Sequence, residues 1–206
     1  MCSSDLIGIY SVSTDAHGER SFHYWRSESA ARRLFAAEET AISMPDADII
    51  YLSGITLAIL TSAARRRLVE VLISRRLAGA KIAFDSNFRP KLWENAAAAR
   101  RTTQAMWDIT DIALPSIDDE MALFGDPTEA AVIDRFAGKQ WDGIAIKRGM
   151  RGPVSPGLDP EAHPDFPPAA RVIDTTAAGD SFNGGYLAAF LAGKGEAERL
   201  AAGHAL

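Results

Sequence analysis

Five short, continuous apolar runs separated by segments of helical spacing are the feature that most limits how this chain can fold. The runs are ADIIYLSGI (47–55), KIAFDSN (81–87), DIALPS (111–116), GIAIKRG (143–149) and RVID (171–174). Between them, residues 61–77 place Ala64, Leu68, Val71 and Leu72 at helical spacing, and 96–107, 118–124 and 127–138 also read as helices. A last helix begins at Ala178. Strand alternating with helix predicts a mostly parallel sheet covered on both faces, an α/β architecture. Strands that are apolar throughout, instead of alternating with polar residues, agree with two covered faces.

Two segments stand outside the alternation. IGIYSVSTDAHGERSFHYWR reads as a β-hairpin turning at Asp15-Ala16-His17-Gly18. The two-residue period puts Phe22, Tyr24 and Arg26 on one face of its second strand, and His23 and Trp25 on the other. Helical signals follow over 29–40, with Ser27 or Ser29 as the cap. The Pro-rich stretch 153–170 excludes a long helix and predicts an irregular excursion with one short strand.

Composition narrows the function classes. Net charge is −5 over 206 residues, and basic residues are interleaved with acidic ones, so no nucleic-acid footprint is expected. No apolar run reaches the roughly 18–20 residues of a membrane span, so no membrane partner is expected. The single cysteine, Cys2, excludes an internal disulfide, and with four scattered histidines it leaves no zinc-ligand spacing. A cytoplasmic location is the expectation. MCSSDL (1–6) has no structural pattern and is expected to be a non-native leader. GEAERLAAGHAL is expected to break off within a helix, which would make the chain a fragment.

In open parallel sheets, ligands sit beyond the carboxyl ends of the strands. Those ends carry Ser53-Gly54, the run Asp85-Ser86-Asn87-Phe88-Arg89, Ser116 with Asp118, Asp119 and Glu120, Lys147-Arg148-Gly149, and Asp174-Thr175-Thr176. Each alone has an ordinary reading as a turn, a cap or a solvated charge. Five on one sheet edge predict a site. The strongest member is VIDTTAAGDSFNGGY (172–186). Ala177, Ala178 and Gly179 bare the backbone at a helix start, where N–H groups and the peptide dipoles favour an anion. Asp180 sits in the first turn beside that anion, a place suited to a base that must reach a nucleophile near a phosphate. Its ordinary reading is complement to the helix dipole. Gly184 and Gly185 each cost a helix about 1 kcal/mol relative to Ala, which predicts close backbone packing. Phe182, Tyr186 and Phe190 read as core.

DTTAAGDSF resembles the second signature of the PfkB (ribokinase-like) sugar kinases. ERSFHYWRSESAARRLF, FDSNFRPKLW, PSIDDEMALFG and IKRGMRG extend the resemblance over about 7–206, and within the family they are most like the 2-keto-3-deoxygluconate kinases. The resemblance implies a three-layer α/β/α fold with a small β lid, residues 7–26 forming part of the lid and 27–206 an incomplete kinase domain. It implies ATP-dependent phosphorylation of a sugar-acid hydroxyl, 2-keto-3-deoxygluconate to its 6-phosphate, with ATP and Mg2+ as cofactors. Asp180 would be the general base, with Ala177, Ala178 and Gly179 as the anion hole. Asn87, Lys147, Arg148, Gly149 and Gly152 would lie along the nucleotide. Tyr24, Trp25 and Arg26 from the hairpin, and Arg89 from the sheet, would contact substrate. Either Asp119 or Glu120 would hold the metal through water. The resemblance also implies self-association through the lid.

The residues support the substrate class independently, since a sugar acid needs a cationic fork that a neutral sugar does not. Ala177 replaces the first Gly of the usual Gly-Ala-Gly-Asp, tolerable if its φ is negative. The alternatives are a fructokinase- or ribokinase-type enzyme and an inactive nucleotide-binding or self-associating remnant. The Gly-x-Gly-x-x-Gly of a nicotinamide enzyme and the Walker A loop are both missing.

Overall fold

The computed structural model describes residues 7–14, 20–34, 44–168, 175 and 177–206. The expected hairpin turn at 15–18, the second half of the helical signal at 29–40 (35–40) and the strand at 171–174 fall outside these residues.

Strands β1 (Ile9–Thr14) and β2 (Arg20–Trp25) form the expected antiparallel hairpin, with Tyr10 opposite Tyr24. After β2 the chain makes a single 3-10 turn, Ala30–Arg33, which packs on α1 (Gly54–Ile59). The remaining strands build one parallel sheet in sequence order, β3 (Ile49–Ser53), β4 (Lys81–Asp85), β5 (Ile112–Ala113) and β6 (Gly143–Ile144). Consecutive parallel strands need crossovers, and helices supply them: α1 and α2 (Ser62–Leu77), then α3 (Ala96–Ile109), then α4 (Ile117–Phe124) and α5 (Glu129–Ala137). Helices α6 (Ala178–Leu191) and α7 (Glu196–His204) close the described chain.

Caps explain the starts of α2, α3 and α5. The Thr61 hydroxyl accepts from the Ala64 N–H, the Asn95 side chain from Ala98, and Thr128 from Ala131. The first apolar run departs from its reading. It reads as strand to Ile55, but helix begins at Gly54, because an apolar run carries no sign of where extension stops.

The sheet sorts its side chains with period two. Leu52, Ile82, Phe84, Ala113, Ile144 and Ile146 join a core with α1 to α5, where Trp107 meets Phe84 and Phe136 edge-on. Ala83, Ile112, Leu114 and Ala145 join a second core with Phe182, Tyr186 and Leu200 of α6 and α7. Two cores on two faces are what a doubly covered sheet requires. β5 and β6 are shorter than expected, yet the pairing continues as Lys147 N–H to Pro115 O at 2.8 Å. In the Pro-rich stretch, Val154 pairs antiparallel with Ile146, the expected short strand reduced to one bridge. No helix among the described residues is long and apolar enough to cross a membrane.

The paired glycines of α6 divide. A Cβ on Gly185 would lie 2.4 Å from the Ala202 carbonyl oxygen, so this glycine lets α6 and α7 meet backbone to backbone. Gly184 has open space around it among the described residues, and none of them supplies the packing expected there. Successive helix positions are about 100° apart, so only one of a neighbouring pair faces α7.

Candidate active site

The carboxyl edge of the parallel sheet gathers most of the predicted residues. Asp85 ends β4 and is buried, and Lys147, just past β6, places its ammonium 2.8 Å from the Asp85 carboxylate. Asn183, on α6, donates to Asp85 Oδ2 at 2.7 Å and accepts from Lys147 Nζ at 3.2 Å. Ser86 Oγ accepts from the Ser116 N–H, tying the ends of β4 and β5 together. Asn87 holds a positive φ of 28°, a region that Asn enters more readily than most residues. Its side-chain oxygen is buried without a hydrogen-bond partner among the described residues.

Helix α6 points its start at this edge. Among the described residues no side chain caps it; Ala177 occupies the cap position, and the Ala178 N–H turns back to Thr175 O at 3.2 Å. Lys147 Nζ lies 3.8 Å from where a Cβ on Gly179 would stand, so the ammonium rests against the first turn. Asp180 is exposed in that same turn. Asp174 and Thr176 lie outside the described residues. The condition placed on Ala177 fails, because its φ is +62°. An L-residue there carries about 1–2 kcal/mol of strain. Ala177→Gly is therefore expected to raise the thermal midpoint by about 2 °C after the added chain entropy of Gly is subtracted, as a thermal melt would show.

The two acidic candidates separate. Asp119 faces the edge, 3.9 Å from the Arg89 guanidinium. Burial raises its carboxyl above the ordinary range, while the Phe88 backbone and Arg89 pull it back. Glu120 is fully buried and turned away, its Oε2 accepting from Arg135 at 3.0 Å; Arg135 also holds Asp126 at 2.7 Å. Its other oxygen is buried without a hydrogen bond of good geometry among the described residues, although Ser86 is close enough to pull the carboxyl down. Burial pushes the Glu120 carboxyl up to about 7 against the pull of Arg135. With the folded value above the unfolded one, the native state binds more protons between about 4.5 and 7. Stability from this group therefore falls as pH rises through that window. Glu120→Gln keeps the shape and leaves Arg135 its Asp126 partner. It is expected to shrink the stability difference between pH 5 and pH 8 by up to about 3 kcal/mol, measured by urea unfolding at both pH values.

A cleft of about 420 Å³ opens beside α6, lined by Lys147, Arg148, Gly149, Ala178, Gly179 and Phe182 among others. Five predicted nucleotide or anion residues therefore share one cavity. Gly152 has a positive φ of 73° and packs under Phe166 rather than lining it. On the hairpin, the Arg26 guanidinium stacks 4.2 Å over the Tyr24 ring, as one shared face requires. Trp25 belongs to the opposite face by strand alternation. Two residues of the edge carried no sequence signal for a site, Asn183 and Tyr51, whose hydroxyl accepts from Asn183 at 3.0 Å.

Comparison with known proteins fits this geometry. The family model described as pfkB family carbohydrate kinase matches residues 4–206. A 2-dehydro-3-deoxygluconokinase of Escherichia coli is 41% identical over 203 residues, covering 95% of this chain and 65% of that relative's length. One from Dickeya dadantii is 40% identical, over 97% of this chain and 66% of its own length. A fructokinase of Salmonella typhimurium is 27% identical over 88% of this chain. Among solved structures, a putative ribokinase II of E. coli superposes with a TM-score of 0.76 at 20% identity, covering 98% of this chain and 63% of that one. An aminoimidazole riboside kinase of Salmonella enterica, solved with its riboside and an ATP analog, gives 0.62 at 27% identity over 76% of this chain and 54% of its own. The fold is thus ribokinase-like, with a parallel sheet between helical layers and a hairpin near the N-terminus. A match running through nearly every described element, on a sheet edge built around an uncapped helix start, places this chain in the pfkB family of carbohydrate kinases.

Proposed function

We propose that the protein transfers the γ-phosphoryl group of ATP to a hydroxyl of 2-keto-3-deoxygluconate, giving the 6-phosphate. The observation that carries this reading is the start of α6. There an uncapped first turn, the Lys147 ammonium and the exposed Asp180 carboxylate lie beside one cleft. The most similar relatives named above act on this sugar acid by name, and one solved relative was crystallised with an ATP analog.

Asp180 takes the proton of the sugar hydroxyl as its oxygen attacks the γ-phosphorus. The bond from that phosphorus to the β-phosphate oxygen breaks, and ADP leaves. The Gly179 backbone and Lys147 meet the charge spread over the transferring oxygens, the chief means of catalysis in such reactions. Arg148 and Gly149 border the nucleotide cleft. Arg89, exposed on the edge, and Arg26, stacked on Tyr24, supply cations for the sugar-acid carboxylate.

The residues fit a hydrated Mg2+ ion and not a protein-enclosed one. No cluster of three or more His, Cys, Asp or Glu among the described residues forms a metal cage. Mg2+ keeps most of its waters and accepts one or two carboxylates plus phosphates; Asp119, beside Arg89, would be one of them, since Glu120 is held by Arg135. When bound, the ion neutralises phosphate charge.

Incubation with ATP, Mg2+ and 2-keto-3-deoxygluconate, followed by 31P NMR, tests the reading. A new phosphomonoester resonance growing with ADP is expected; ADP without a phosphoester would refute it.

A further inference from the structure

Asn183 is 1% exposed and lies three residues after Asp180, on the same side of α6. Asn is a poor helix former, and a buried amide is costly unless its hydrogen bonds are made. Here they are made to three other elements. Its Nδ2 donates to the Tyr51 hydroxyl of β3 at 3.0 Å and to Asp85 Oδ2 of β4 at 2.7 Å. Its Oδ1 accepts from Lys147 Nζ at 3.2 Å, while Lys147 pairs with that same Asp85 oxygen at 2.8 Å. Asp85 Oδ1 accepts from the Asn87 N–H at 3.2 Å. Partial desolvation of the half-exposed ring and the Asp85 charge hold the Tyr51 phenol above its ordinary range, so it stays a neutral hydroxyl.

A network whose only task was to dock α6 would need no ammonium at the helix start, and an apolar contact of the same volume would dock it at less desolvation cost. The arrangement instead fixes two directions of one cation. With Asp85 and Asn183 as acceptors, the third N–H of Lys147 has no acceptor among the described residues, and its nitrogen rests against Gly179.

We propose that Asn183 is a positioning residue for phosphoryl transfer, its carboxamide holding the Lys147 ammonium against the first turn of α6. Backbone donors and ammonium then converge on one anion, the terminal phosphate. A neutral amide is required, because a carboxylate would give Asp85 a like-charged neighbour and draw Lys147 inward. This inference rests on the phosphotransfer reading, and its test has a binding readout that does not need sugar turnover.

The test compares affinity for the non-hydrolysable triphosphate adenylyl-imidodiphosphate with affinity for ADP, by calorimetry in magnesium buffer. The proteins are the natural chain, Asn183→Leu, Lys147→Met and the double variant, with isosteric Asn183→Asp as a further variant should Leu fail to fold. The natural chain is expected to prefer the triphosphate. Either single substitution should reduce that preference by about tenfold, and the double variant by no more, since Asn183 acts through Lys147. In turnover, Asn183→Leu should lower kcat by about tenfold with the sugar-acid KM within about twofold. A lowered melting temperature with the triphosphate preference and kcat intact would overturn the proposal, as would multiplicative effects or a natural chain without the preference. Triphosphate preference lost as expected, in a protein that phosphorylates no sugar acid, would sink the proposed substrate and leave this inference standing.

Discussion

Asp180→Asn is expected to lower kcat by about 10²–10⁴-fold, while ADP affinity stays within about threefold. The asymmetry follows from where Asp180 sits. It is exposed in the first turn of α6, with its neighbours Ala178 and Gly179 lining the cleft. Asn keeps the shape of an exposed side chain, so the fold loses only the interaction of a carboxylate with the helix dipole, about 0.3–1 kcal/mol. What Asn cannot do is accept the proton of an attacking hydroxyl. Steady-state kinetics paired with a thermal melt separates the two roles. A retained rate with a lowered melting temperature would show that Asp180 merely complements the dipole, the ordinary reading of an acid at that position.

The second large effect is structural and strikes the same edge. Gly54 follows Ser53 at the end of β3, and a Cβ there would stand 1.9 Å from the Ser86 carbonyl oxygen and 3.3 Å from that of Asn87. No rotamer relieves a clash between Cβ and backbone. Gly54→Ala must therefore push residues 85–87 away from β3, along with Asp85, which anchors Lys147 and Asn183. The expected loss is about 3 kcal/mol, or a thermal midpoint lower by about 6–12 °C for a chain of this size. Gly184→Ala, with open space around it, is the internal control and should gain stability. Equal melting temperatures for Gly54→Ala and the natural chain would contradict the close approach.

Much of this was legible because it is periodic or local. The alternation of apolar runs and helical spacing specified a parallel sheet, and the helices expected over 61–77 and 96–107 stand in the structure at 62–77 and 96–109. Five polar strand ends pointed to one edge, and described members of all five lie there, the last represented by Thr175 alone. What was not legible depends on direction and on distant partners. Asp119 and Glu120 are adjacent on α4, so their side chains diverge by about 100°; only the position of Arg135 on α5 shows which one is claimed by the interior. Asn183 sits in an apolar stretch, and its partners are 36, 98 and 132 residues away. Its one local trace is an amide in the middle of a helix. The backbone at Ala177 is likewise a tertiary outcome, since its residue type favours a negative φ and the chain imposes the opposite.

The central claim is that this edge handles a phosphoryl group bound for a sugar acid. Its most direct test is kcat/KM for 2-keto-3-deoxygluconate and for fructose, measured in one preparation with ATP and Mg2+. The account predicts that the sugar acid is preferred by at least about 10²-fold, the scale of a carboxylate gaining an arginine partner. Equal values for the two sugars, or a preference for fructose, would contradict it.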